Sequence, residues 1–183
     1  CVAITIRDME RVRSDVRSFN DGQPRACWPI IQYFLGWNGW QHFPSRDQLF
    51  AMTWAAIIHG AHGMTWYTYG GFDHKKPGRN DQGITSTPER WQTISELARE
   101  LGKWSPVFVE RTPAEQPTVK VLEGPRLDPL GKEPPVTCLL KKHAGKTHLF
   151  AVNACSEPVT VEFTLPGGVK TTEKFAPFGV LAR

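Results

Sequence analysis

Between residues 6 and 104 the chain alternates between two kinds of pattern, and that alternation constrains its fold more than any single motif. In IRDMERVRSDVRSF, Ile6, Met9, Val12, Val16 and Phe19 recur at three- and four-residue steps, the spacing of one helix face, and NDG follows as a stop signal. After Pro24, ACWPIIQYFLG is a short apolar run of the kind expected for a strand buried on both faces. Ser45 is placed to cap a helix over RDQLFAMTWAAIIHGAHG, with Leu49, Met52, Ala56 and Ile57 on one side and Gly60 and Gly63 closing its end. MTWYTYGG is the next strand. Beyond the polar stretch FDHKKPGRNDQGITS, Thr87-Pro88-Glu89 reads as N-cap, first-position proline and first-turn acid. The helix it opens, ERWQTISELARELGKW, carries Trp91, Ile94, Leu97, Ala98 and Leu101 on one face. Helix, strand, helix, strand, helix is the order of parallel strands joined by crossover helices, and it predicts an α/β unit over residues 1–104.

From Ser105 the texture changes. Proline-rich linkers (RTPAEQP, EGPRLDPLGKEPP) separate the short strand candidates TVKVLE, VTCLLKK, THLFAVN, VTVEFTL and FGVLAR. LLKKHAGKTHLF reads as a hairpin turning near Ala144-Gly145, and the alternation of Val159, Val161, Phe163 and Leu165 gives its strand one buried face. Residues 105–183 therefore predict a small antiparallel β-sandwich. The two βα units before it cannot close a (β/α) barrel, which takes eight strands and typically ~250 residues. Either they form a small open α/β sheet or they end a larger enzyme. The second is favoured, and a start at Cys1 rather than Met fits a chain cut from something longer.

Composition removes several classes. The net charge of +4 invites nucleic acid, but the basic residues are scattered, with adjacent lysines only at Lys75-Lys76 and Lys141-Lys142, so no nucleic-acid partner is expected. No stretch approaches the ~20 apolar residues of a membrane span, and no signal peptide is visible. Cys1, Cys27, Cys138 and Cys155 show no CxxC spacing, which argues against zinc and leaves open whether a disulfide forms. His59, His62 and His74 lack metal-ligand spacing, and no GxSxG elbow is present.

Taken in order, PIIQYFLGW, RDQLFAMTWAAIIHGAHGMTWYTYGG, GITSTPERWQTISELARELGKWSPVF and a terminal EKFAPFGVLAR resemble the C-terminal end of bacterial (β/α)8-barrel glycoside hydrolases. The likeness runs from Arg25 onward, and the order of the pieces is what makes it specific. It implies that this chain carries the last two strands of a TIM barrel with their helices, then an accessory β-sandwich. The N-terminal remainder of the barrel would come from the same precursor or from a second chain. It further implies hydrolysis of an oligo- or polysaccharide without a cofactor, in an extracellular or periplasmic setting.

One position departs from the pattern. The large retaining clan of such barrels places a nucleophilic Glu at the end of strand seven, where CWPIIQYF offers Gln32. A carboxamide is neither nucleophile nor carboxylate base. Three explanations stay open: a shifted register, acids on other strands, or a barrel that binds sugar without cleaving it. Gln32 can still hydrogen-bond a sugar hydroxyl, as donor and as acceptor. Trp66 is the expected sugar platform, with Tyr67 and Tyr69 beside it, because an indole suits the C–H face of a sugar and a hydroxyl suits its rim. Strand alternation allows only one of Trp66 and Tyr67 to face inward. Trp37 and Trp40, in GWNGW, are candidate subsite walls or rim packing, whereas Trp54 and Trp91 fall at apolar helix positions and read as core. Asp73 and Asp81 are the only acids in the stretches that follow strands; Asp73 could reach a cleft, but a glycosidase needs a carboxyl pair, which places the catalytic acids upstream. The sandwich shows no aromatic row and is expected to brace the barrel.

Overall fold

The structure, a computed structural model, describes residues 2–18, 25–34, 42–70 and 83–183. It is a mixed fold of helices and sheets, with one parallel strand pair, two antiparallel sheets and, among the described residues, no closed barrel. In chain order the elements are α1 (Val2–Ser18), β1 (Ile30–Gln32), α2 (Arg46–Ile58), β2 (Thr65–Tyr67), α3 (Pro88–Phe108), β3 (Thr118–Glu123), β4 (Val136–His143), β5 (Lys146–Asn153), β6 (Val159–Thr164), β7 (Lys170–Phe175) and β8 (Val180–Ala182).

Helix α1 begins four residues before the predicted start at Ile6, because Val2 and Ala3 extend the buried row of Ile6 and Met9 by one turn. Val12, expected in that row, is exposed. Ser45 caps α2 through a capping box: its Oγ accepts from the Gln48 N–H at 3.2 Å, and its own N–H donates to Gln48 Oε1 at 2.9 Å. The far end closes as a Schellman motif, with Gly60 at φ 91° and Gly60 and Ala61 N–H groups donating to the Ile57 and Ala56 carbonyls.

The predicted one-sided burial of α2 does not hold. Every residue from Leu49 to Ile58 is buried, as expected of a helix with packed layers on all sides. On one side lie Ile31 and Tyr33 from the β1 segment, and on the other Phe150 of β5, whose ring stacks on Trp54 at 5.6 Å.

Helix α3 runs past the expected boundary at residue 104 and through Pro106 to Phe108. Proline has no N–H for the carbonyl four residues back, and the Ser105 hydroxyl donates to that Gly102 carbonyl instead, at 2.9 Å. Lys141, buried on β4, caps the helix end by donating to the Phe108 carbonyl at 3.0 Å and to the Glu110 carbonyl. Burial lowers its pKa.

The hairpin β4–β5 turns at Ala144-Gly145, as predicted, and both residues have positive φ. Two three-stranded sheets result, β4-β5-β8 and β3-β6-β7. They face each other across Val136, Leu149 and Ala151 on one side and Val159, Val161, Phe163 and Phe175 on the other. The opposite face of β4-β5-β8 carries Leu139, Phe150 and Val152 into the core shared with the helices. One sheet thus serves two cores, and the two halves expected from composition are joined through it.

Candidate functional site

Strands β1 and β2 pair in parallel, with Ile30 opposite Thr65, Ile31 opposite Trp66 and Gln32 opposite Tyr67. Alternation assigns the faces. Ile31 is buried against α2, and Trp66 points the same way, its indole Nε1 donating to Thr53 Oγ1 at 3.0 Å. Trp66 therefore lies on the helix side, where its N–H meets a hydroxyl of α2, and not on the opposite face where a sugar platform was expected. Ile30, Gln32, Thr65 and Tyr67 take that other face. The expectation that ACWPIIQYFLG is buried on both sides is likewise corrected, since Ile30 is 70% exposed and no described strand covers it.

Gln32 and Tyr67 are thus side by side on the open face. The Gln32 Nε2 donates to the Phe34 carbonyl at 3.0 Å, and the Phe34 ring meets the Tyr67 ring edge-on at 5.5 Å. That bond fixes the amide orientation, because the reversed group would set two acceptors against each other. It leaves Gln32 Oε1 buried without a partner. A buried acceptor in that state costs about 1–3 kcal/mol, so a hydroxyl or N–H brought to it binds with advantage.

The pair opens on a cavity of about 710 Å3 between β1 and α1. Its walls are mainly apolar, with Met9 and Val12 from α1 and Trp28 and Ile30 from the β1 segment. Asp8, the one carboxylate among the described residues lining it, pairs with Arg7 at 2.7 Å. The strand edge here is open too. The Tyr33 N–H donates to Tyr67 O and Pro29 O accepts from the Thr65 N–H, so the intervening alternation turns the peptide groups of Ile30 and Gln32 away from β2.

Trp28, which sequence reasoning did not single out, is 64% exposed beside this edge. Its ring lies on Gly63, where a Cβ would come within 2.5 Å of the indole. Gly63 is the floor of an aromatic ring rather than only a helix terminator, and the spacing of 35 residues between them leaves no local signal of that contact.

Tyr69 lies two residues beyond Tyr67, across a cis Tyr67–Thr68 peptide, and is 69% exposed. Its ring meets Trp91 of α3 edge-on at 6.4 Å, and Trp91 is itself 51% exposed, contrary to its expected place in the core. Residues 83–85 return alongside this segment: Thr68 O accepts from the Ile84 N–H at 2.8 Å, and a Cβ on Gly83 would lie 2.7 Å from the Gly70 backbone.

Trp37, Trp40, Asp73, Asp81, His74 and Cys1 lie outside the described residues. Cys27, Cys138 and Cys155 are unpaired thiols, and burial pushes the Cys138 thiol up to about 11. His59 joins three elements, its Nδ1 at 2.5 Å from Glu10 Oε1 and its Nε2 at 2.9 Å from Thr137 Oγ1, while His62 Nδ1 accepts from the Cys27 N–H at 3.2 Å. Among the described residues no three His, Cys, Asp or Glu side chains gather to hold a metal, and no helix is long and apolar enough to cross a membrane.

No protein-family model matches the chain, and no curated protein matches it either.

Proposed function

We propose that this chain is the C-terminal part of a (β/α)8-barrel glycoside hydrolase, β1 and β2 being its last two barrel strands and the antiparallel sheets its accessory sandwich. In this reading the open face of β1 and β2 is the barrel interior, and Gln32 and Tyr67 contact the saccharide. The observation that carries it is the alignment of these two residues on one face with Gln32 Oε1 buried and unpaired. A sugar hydroxyl donates to that oxygen, while the Tyr67 ring offers an apolar surface with a hydroxyl at its rim. The exposed Ile30 and Trp28, the open edge of β1 and the cavity beside α1 support further parallel strands packing there, from the remainder of the barrel. Those strands supply the carboxyl pair that hydrolysis needs.

A second reading, a carbohydrate-binding protein on a barrel without that pair, is favoured by one observation. The position at the end of β1 holds a carboxamide, and the only described carboxylate at the cavity is tied to Arg7. Titration calorimetry of the complete barrel, this chain together with its N-terminal remainder, with xylo-, cello-, manno- and galacto-oligosaccharides tests what both readings share. At least one series binds, and Gln32→Leu weakens it about tenfold or more, the loss of one buried hydrogen bond. Binding to none of them, or equal binding by the variant, contradicts the role given to Gln32. Chromatography of the same mixtures separates the two readings, since only the enzyme, with its barrel complete, shortens the oligosaccharides.

A further inference from the structure

We infer that Tyr69 and Trp91 form a second saccharide contact, an aromatic corner that holds a neutral sugar ring one subsite away from Gln32 and Tyr67. The inference rests on the reading of the open face as a sugar site and extends it to a residue on a different element. Three observations carry it.

First, both rings are large, exposed and perpendicular, with centroids 6.4 Å apart. Each keeps ring surface open to solvent and a polar tip, a phenol hydroxyl or an indole N–H, at its margin. That combination matches a pyranose, whose C–H face is apolar and whose rim is hydroxylated.

Second, the backbone that carries the corner is held in place before any ligand arrives. The Tyr69 carbonyl accepts from both the N–H of Thr85, at 3.1 Å, and its hydroxyl, at 2.9 Å. Trp91 sits in the first turn of α3, below the Thr87 cap, and its carbonyl accepts from the Ser95 hydroxyl at 2.8 Å. The backbone ordering cost on binding is therefore small.

Third, the position and charge agree with a neutral chain crossing from the open face. Tyr69 follows Tyr67 at the C-terminal end of β2, the end at which α3 begins. Arg90, the neighbour of Trp91, has its guanidinium turned onto the Phe43 ring at 3.4 Å and donates to the Ser86 hydroxyl, so this cation is committed elsewhere. An anionic ligand finds no cation offered by that residue.

Affinity electrophoresis tests the corner, with native gels containing xylan, hydroxyethyl cellulose, galactomannan or galactan as the probes. Wild type, Tyr69→Ala, Trp91→Ala, Trp91→Phe and Gln32→Leu are run side by side, with thermal melts to show that each is folded. The inference expects at least one polysaccharide to retard the wild type, both alanine variants to lose most of that retardation, and Trp91→Phe to keep a substantial part of it. Retardation that disappears in Gln32→Leu and persists in both alanine variants overturns the corner and leaves the open-face reading standing. Retardation lost in the alanine variants and intact in Gln32→Leu supports the corner and removes the role given to Gln32. A wild type that no polysaccharide retards, or one whose dimerisation Trp91→Ala abolishes, overturns the corner as a sugar site.

Discussion

The sheet β4-β5-β8 and the strand pair β1-β2 both lie against the helices, yet they differ in how their second face is treated. The former has both faces covered, one by α2 and α3 and the other by β3-β6-β7, so that Leu149 to Asn153 are buried without interruption. Its buried Asn153 is fully engaged: Nδ2 donates to the Glu157 and Ala176 carbonyls, and Oδ1 accepts from the Cys155 N–H. The latter covers only one face. Its other face carries an exposed isoleucine, a half-buried glutamine with an orphan oxygen, and a tyrosine that borders a cavity. Among the described residues two buried side-chain polar atoms lack a partner: Trp54 Nε1, a donor enclosed by aromatic rings in the closed core, and Gln32 Oε1, the one such acceptor, which lies on the face left open.

The contrast can be broken most forcefully from its closed side. Phe150 is fully buried and stacks on Trp54, with Phe108 and Trp104 around it. Phe150→Ala removes the contact on which two layers meet and is expected to cost about 3–5 kcal/mol in urea unfolding followed by tryptophan fluorescence. A loss near 1 kcal/mol would show that β5 is less central than described.

The next effect is one of pH. Burial raises the Cys138 thiol from 9.0 to about 11. The folded protein then holds this proton more tightly than the unfolded chain, so stability is full below 9 and declines as pH rises toward about 11. The decline amounts to at most about 3 kcal/mol, and Cys138→Ala should lack that portion of it. Identical slopes for the two proteins between these limits would refute the assignment. Smaller again is Ser45→Ala, which opens the capping box of α2 and should lower stability by about 1 kcal/mol without touching either sheet.

The smallest change in stability belongs to the open side. Gln32→Leu removes a buried acceptor that has no partner but also the Nε2 bond to the Phe34 carbonyl; the two effects offset, so the melting temperature should change little while saccharide binding falls. A clear drop in melting temperature would mean that Gln32 belongs to the core, and the comparison between the two sheets would lose its basis.

Local signals in the sequence carried much of this architecture. Ser45 and Gly60 mark the ends of α2, Thr87-Pro88 marks the start of α3, Ala144-Gly145 marks the hairpin, and Val159, Val161 and Phe163 mark the buried face of β6, each through chemistry within a few residues. What escaped depends on partners far along the chain. Periodicity gave α2 one apolar face, but Phe150, almost a hundred residues later, packs on another. Alternation showed that Trp66 and Tyr67 oppose each other without revealing that Thr53 draws Trp66 to the helix side. Trp91 sits at an apolar position of α3 and is left in solvent beside Tyr69, because no described layer covers that turn. Helix α3 outruns its predicted end at Trp104 for a local reason: the Ser105 hydroxyl meets the Gly102 carbonyl that Pro106 would have orphaned.

Hydrogen exchange read by mass spectrometry tests the central distinction most directly, with the free protein compared against the oligosaccharide that binds best by calorimetry. Peptides spanning 146–153 should exchange slowly in both states, while those spanning 25–34 and 63–70 should exchange faster when free and become protected on binding. Protection confined to the sandwich, or strand peptides of β1 and β2 that never change, would contradict the assignment of the open face as the site.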